Sequence, residues 1–199
     1  HKSIVIGAEG QVEIDEFSDA EHDSLSALPF LRFTRLTEAD AALRDFAWKQ
    51  CAQRRDRTAL IDLMHGLNDH IRYQPGITAV DTSAAEAFAG RQGVCQDHAH
   101  AFIACARSLG IPARYVSGYL VTDSQDHLAS HAWAEAWLDG GWYSFDVTNC
   151  LSRPERHLKL AIGLDYLDAC PVRGMRRGGG SERLMARVDV EPLIQVQAQ

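Results

Sequence analysis

The sequence predicts an α+β fold, with helices in the first half packed on an antiparallel sheet from the second. Three observations carry this. Apolar residues recur at helical spacing in several stretches between about residues 37 and 109. From Ala113 the pattern changes to Tyr- and Val-rich strands. Asp139-Gly-Gly141 separates two alternating runs, a strong hairpin signal. Helices followed by antiparallel strands argue against a doubly wound sheet.

Residues 3–14 alternate roughly as a strand, with Ile4, Ile6 and Val12 among them. The stretch 15–29 is acidic and irregular and reads as a linker or surface loop, so residues 1–33 are set apart from a domain spanning 34–199. Helical pattern begins near Thr37-Glu38, where Leu43, Phe46 and Ala47 share a face. A second helix is expected at 58–71, because Leu60, Leu63, Met64, Leu67 and Ile71 form one stripe, and Tyr73-Gln-Pro-Gly76 stops it. Ser83-Ala-Ala-Glu86 matches a capping box, and Gly90 ends the short helix it opens. Gly93 precedes a helix at 95–109 with Ala99, Phe102, Ile103 and Ala106 on one side, closed by Gly110 and Pro112. Strands are expected at 114–121, 131–138 and 142–148, and a last strand pattern covers 183–196.

With 46% hydrophobic and 24% charged residues in 199, the chain can bury a core. Its net charge of -7, from 20 basic and 27 acidic residues, repels phosphate backbones and argues against a nucleic-acid partner. No apolar run approaches the ~18 residues that a membrane span needs. The first residues do not form a signal peptide, and the chain does not begin with Met, so it is open to being a piece of a longer protein. Five cysteines, at 51, 95, 105, 150 and 170, are few and odd in number for a disulfide scaffold, and no Cys-x-x-Cys pair supports structural zinc. A reducing, cytoplasmic compartment is the simpler reading.

Cys95 would occupy the first turn of its helix, where the partial positive charge of the N-terminus favours thiolate over thiol. The alternative is a small core residue. His131 opens a strand in His131-Ala-Trp-Ala-Glu-Ala-Trp137, and Asp146 follows on the return strand. Side chains alternate faces along strands, so an even number of loop residues puts His131 and Asp146 on one face, and an odd number separates them unless a bulge intervenes. In the even case Asp146 can fix the imidazole tautomer while His131 pairs with Cys95.

Gly93-Val-Cys-Gln-Asp-His-Ala-His100, Arg114-Tyr-Val-Ser-Gly-Tyr119, His131-Ala-Trp133, Trp142 and Asp146-Val-Thr-Asn149 together resemble the bacterial transglutaminase-like superfamily. The order and separations of Cys, His and Asp agree with that family. The resemblance runs from about Thr34 to Thr148, and more loosely to Pro192. It implies a papain-like core and acyl-enzyme chemistry through Cys95, His131 and Asp146. It also implies that residues 4–14 are the last strand of a β-rich N-terminal region found in longer members. The segment from Gly163-Leu-Asp-Tyr-Leu-Asp168 to Gly180 resembles one that lies near the cleft in family members.

Cys95, His98 and His100 suggest a metal cluster at first sight, but positions i, i+3 and i+5 of a helix do not converge, so neither a metal nor a cofactor is expected. Asp97 is expected to cap its helix. An oxyanion hole needs donors where negative charge develops. The backbone N–H of Cys95 is the first, and Tyr73 is the choice for the second, with Gln92 and Gln96 as alternatives. Most of Trp133, Trp137, Trp142, Tyr143 and Phe145 are expected to be core, although one could wall the cleft. The other four cysteines read as packing residues. The function expected is a thiol-dependent amide hydrolase, a cysteine peptidase acting on a peptide or protein. Glutamine–lysine cross-linking, arylamine acetyl transfer and a catalytically silent binding module on the same fold are the alternatives. Trp133 with Asp165 or Asp168 could supply an amine site for cross-linking.

Overall fold

A helix start leaves backbone N–H groups without intrahelical partners, and short polar side chains take them up here. The computed structural model describes residues 5, 7–12, 20–52, 54–120, 130–153 and 156–170. Helix α1 (Ala41–Cys51) is capped by Asp40, which accepts from Leu43 N at 2.9 Å. Helix α2 (Arg57–His70) is capped by Asp56, which accepts from Ala59 N at 2.8 Å. Between α2 and the next helix lies the short strand β1 (Arg72–Tyr73). Helix α3 (Ala84–Gly90) opens with the predicted capping box of Ser83 and Glu86. Strand β2 (Gln92–Gly93) pairs in parallel with β1 and leads into α4 (Cys95–Ser108). The start of α4 is held by Asp97, as expected, whose Oδ2 accepts from Val94 N at 2.7 Å.

Helix α1 starts later than the pattern suggested because Thr37 is used elsewhere. It is buried, and its hydroxyl accepts from Arg107 Nη1 at 2.7 Å. Arg107 also donates to Phe30 O, Ala113 O and Leu164 O, so one buried guanidinium ties four parts of the chain together.

The main sheet is antiparallel, in the order β5-β4-β3-β6, built from β3 (Ala113–Leu120), β4 (Ser130–Leu138), β5 (Gly141–Phe145) and β6 (His157–Gly163). Ala132, Ala134 and Ala136 of β4 belong to the same core as Ala99, Phe102, Ile103 and Ala106 of α4, and their small side chains let helix and strand lie close. The β4–β5 turn has two residues, Asp139 and Gly140, both at positive φ (48° and 89°), and Leu138 pairs with Gly141. The even loop required for His131 and Asp146 to share a face is therefore present.

Strand β6 was not anticipated. Its Leu158, Leu160 and Ile162 alternate, but the stretch is short and lies between polar turns. At the N-terminus, residues 5 and 7–12 carry no strand, and the rest of that expected strand lies outside the described residues, as does the pattern at 183–196. From residue 20 onward the expected surface loop is irregular and mostly exposed, yet tied to the sheet. Glu21 exchanges two backbone hydrogen bonds with Trp142 (2.9 and 2.8 Å), and a 3-10 turn, Leu28–Leu31, lays Phe30 edge-on against Trp142 at 5.2 Å. Its acidity is complementary rather than merely solvated: Glu21 and Asp23 face Arg114, which is fully buried, stacks over Trp142 at 4.2 Å and bonds Glu135 at 2.6 Å.

Gly118 allows β3 and β6 to approach at a register shift between Ser117 and Gly118. A Cβ there would lie 2.0 Å from Leu158 O and 2.8 Å from the Trp133 ring. Gly118→Ala is therefore expected to cost on the order of 3 kcal/mol of stability. An unchanged denaturant midpoint would contradict this reading of the contact.

Candidate active site

Cys95 is the first residue of α4, half-buried, at the positive end of the helix. The short parallel pair β1–β2 fixes how the chain enters that helix, with Gln74 N donating to Gly93 O at 2.7 Å. His131 sits at the start of β4 and Asp146 just beyond β5, and His131 Nε2 lies 2.7 Å from Asp146 Oδ2. That leaves Nδ1 on the other edge of the ring, and Cys95, which lines the same cavity as His131, acts on the imidazole. The three residues singled out in the sequence are thus brought together, with the imidazole between sulfur and carboxylate.

Burial alone would lower the pKa of His131. The hydrogen bonds to Asp146 and Cys95, and their charges, outweigh it and hold the imidazole up at about 9. Burial would raise Asp146, but hydrogen bonds from His131 and His157, the charge of His131 and the Asn149 amide keep its carboxyl well below the usual range. Chemically, such a set can move a proton between a thiol and a base whose tautomer the carboxylate fixes.

Two partners of Asp146 escaped the sequence reading. His157 Nε2, from β6, lies 3.0 Å from the same Oδ2, and its ring packs edge-on against Trp133 at 4.8 Å. Asn149 donates its backbone N–H to Oδ1 at 3.2 Å and its amide to Oδ2 at 2.7 Å. The Asp146-Val-Thr-Asn149 turn was a signal for the second, whereas His157 had none, because β3 and β4 separate its strand from β5. His131, Asp146 and His157 offer ligand atoms within 4.8 Å of one another, the residues best placed to hold a cation among those described. Their 2.7 and 3.0 Å contacts are hydrogen-bond lengths, and protons account for them.

His98 and His100 do not converge with Cys95 on a metal position. Ile71 O can only accept, so His98 Nε2 donates to it at 2.8 Å and Nδ1 accepts from Thr148 Oγ1 at 2.9 Å. His100 Nε2 accepts from Tyr166 N at 3.1 Å, and burial lowers its pKa to about 4. Both imidazoles serve as neutral struts.

Tyr73 lies in β1 beside this helix start, half-exposed, with its ring 6.4 Å from that of His98. Burial, then the charge of Cys95, raises its phenol pKa, so it keeps its proton and can donate. Gln92 lies in β2, and Gln96 is engaged, donating to Val80 O at 3.0 Å. A cavity of about 280 Å³ opens at Cys95 and His131, with Tyr115, Tyr119, Leu160 and Tyr166 among its walls. Trp133 is not a cleft wall: it is 1% exposed and fills the space between His131 and His157. Asp165 and Asp168 are turn formers, accepting from Asp168 N at 3.0 Å and Leu164 N at 2.9 Å, and do not line the cavity. No disulfide joins any of the five cysteines. Burial pushes Cys51 up to about 11 and Cys105 higher still, as inert packing residues, while Cys170 lines the cavity.

Residues 47–147 match the model of the transglutaminase-like superfamily, by its description "Transglutaminase-like superfamily". An uncharacterised protein of Mycobacterium leprae is 37% identical over 143 residues, which cover 69% of this chain and 51% of that one. A protein-glutamine gamma-glutamyltransferase of Pseudomonas aeruginosa is 33% identical over 119 residues, 53% of this chain and 18% of that one. Among solved structures, a "Putative Cysteine Protease" from Cytophaga hutchinsonii superposes with a TM-score of 0.65 at 33% identity, covering 74% of this chain and 50% of that one. The chain thus spans about half the length of the Mycobacterium leprae relative. No helix among the described residues is long and apolar enough to cross a membrane.

Proposed function

The chain belongs to the transglutaminase-like superfamily, and on that premise we propose that it is a thiol-dependent amide hydrolase, a cysteine peptidase acting on a peptide or protein. The observation that carries the proposal is the imidazole of His131 set between Cys95 and the Asp146 carboxylate. Cys95 attacks the carbonyl carbon and His131 takes the thiol proton. As the tetrahedral intermediate collapses, His131 returns that proton to the leaving amine, and a thioester remains on Cys95. Water then attacks the thioester with His131 as base, which releases the acid and restores the thiol. Asp146 orients the imidazole and stabilises its protonated form. The Cys95 N–H is one donor for the oxyanion and the Tyr73 hydroxyl the other. Five scattered cysteines with no disulfide between them favour a reducing compartment, the cytoplasm.

Limited treatment with iodoacetamide at mildly acidic pH is expected to label Cys95 before the other four cysteines, read by peptide mapping. Uniform labelling, or preference for Cys51 or Cys170, would count heavily against the proposal.

Hydrolysis is favoured over amine transfer because the groups that could have received a lysine, Trp133, Asp165 and Asp168, are committed elsewhere. With no acidic residue among the described cavity walls, bulk water outcompetes the amine. The test supplies an ester or glutamine-containing acyl donor with increasing primary amine and measures both products. Acid is expected to dominate at millimolar amine; if the amide dominates there, cross-linking is the activity. If Cys95 is labelled selectively yet neither product forms, the binding-module reading gains.

A further inference from the structure

We propose that His157 is a positioning residue which, through Asp146, sets the proton affinity of His131. The inference rests on the reading of His131 as the acid–base group of a thiol enzyme and adds to it a second imidazole, from the far edge strand of the sheet. Asp146 Oδ2 receives three donors: His131 Nε2 at 2.7 Å, Asn149 Nδ2 at 2.7 Å and His157 Nε2 at 3.0 Å. A carboxylate can only accept, so His157 carries its proton on Nε2. Its Nδ1 is buried without a hydrogen-bond partner, so Nε2 is the ring atom that holds His157 to the rest of the site. His157 is 5% exposed and fixed by Trp133, so this donor is held in place.

Every donor on the shared oxygen draws off part of its negative charge. His157 thus stabilises the ionised carboxylate and at the same time tempers its pull on the His131 proton. That balance matters because an imidazolium held too tightly is a poor acid for the leaving amine. Among the described residues, Cys95 and His98 of α4 face the pair, Cys95 raising the pKa of the imidazole, and Tyr115, Tyr119, Tyr166 and Cys170 line the same cavity as His131. Asn149 faces it from the turn after β5.

The test compares His157→Phe, which fills the space without a donor, with His157→Gln, whose amide nitrogen can stand where Nε2 stood. The readout is the His131 titration midpoint by nuclear magnetic resonance of the imidazole, with circular dichroism to verify folding. The midpoint is expected near 9 in the parent, higher by roughly half a unit to one unit in His157→Phe, and back near the parent in His157→Gln. Asn149→Ala, at an exposed site, removes a second donor and is expected to move the midpoint the same way; it carries the test alone if His157→Phe does not fold. A purely structural role would loosen Asp146 and leave the midpoint unchanged or lower it. That result in a folded variant, or a His157→Gln protein that behaves like His157→Phe, overturns the proposal. The readout needs no turnover, so a silent Cys95 sinks the enzyme reading without deciding the role of His157.

Discussion

Cys95→Ala is expected to reduce acyl transfer by on the order of 10⁴-fold or more, and His131→Ala by nearly as much. The expectation comes from the position of the imidazole. Without the sulfur there is no atom to carry the acyl group. Without the imidazole the thiol proton has no acceptor within reach and the leaving amine no donor. Because the two side chains perform one proton-coupled step, the double variant should be no worse than the poorer single one. Replacing a half-buried cysteine by alanine should barely disturb α4, so a large loss cannot be assigned to unfolding. Initial rates on an activated ester, with thermal melts run in parallel, decide the point. Losses that multiply in the double variant would mean that Cys95 and His131 act on different steps, and the shared mechanism would fall.

These residues were legible because their signals are local. A glycine before a helix start marks Cys95, an alternating strand carries His131, and Asp139-Gly140 sets a two-residue turn whose parity decides whether Asp146 shares its face. The sequence alone left that parity open, since Asp139-Gly-Gly141 is compatible with two or three loop residues; the pairing of Leu138 with Gly141 resolved it. The helices were likewise readable from caps and stripes, to within a few residues at their ends. What could not be read depends on contacts remote in sequence. His157 meets Asp146 only because β6 adds to the far side of β3. Glu21 and Asp23 read only as part of an acidic loop because their partner, Arg114, is 93 residues from Glu21. Trp133 was one of five aromatics of which one could wall the cleft, yet it packs between two imidazoles and is buried. Composition and spacing carry no information on such pairings.

Asp146→Asn is expected to keep more activity than the loss of Cys95 or His131, yet to fall by about 10²–10⁴-fold, because the imidazole loses its fixed tautomer rather than its place. The same substitution should be visible without any substrate, in the pH dependence of stability. His131 is raised from 6.5 to about 9 on folding. A raised base contributes its full stabilisation below the unfolded value and loses it as pH rises through the folded one. Asp146 is depressed, so its contribution is present above the unfolded carboxylate value and is lost as pH falls toward the folded one. The two shifts describe largely one interaction and are not to be added. Its full strength should therefore lie between about pH 4 and 6.5. Between about pH 6.5 and 9 the parent is expected to lose on the order of 3 kcal/mol of unfolding free energy through His131, part of it due to Cys95 rather than Asp146. In Asp146→Asn the charge is gone and most of that slope should flatten, while stability at pH 6 drops. Denaturant titrations at a series of pH values give both quantities. A variant that keeps the parent's full slope would show that the raised pKa of His131 does not come from Asp146, and the carboxylate would then have no part in holding the imidazole charged.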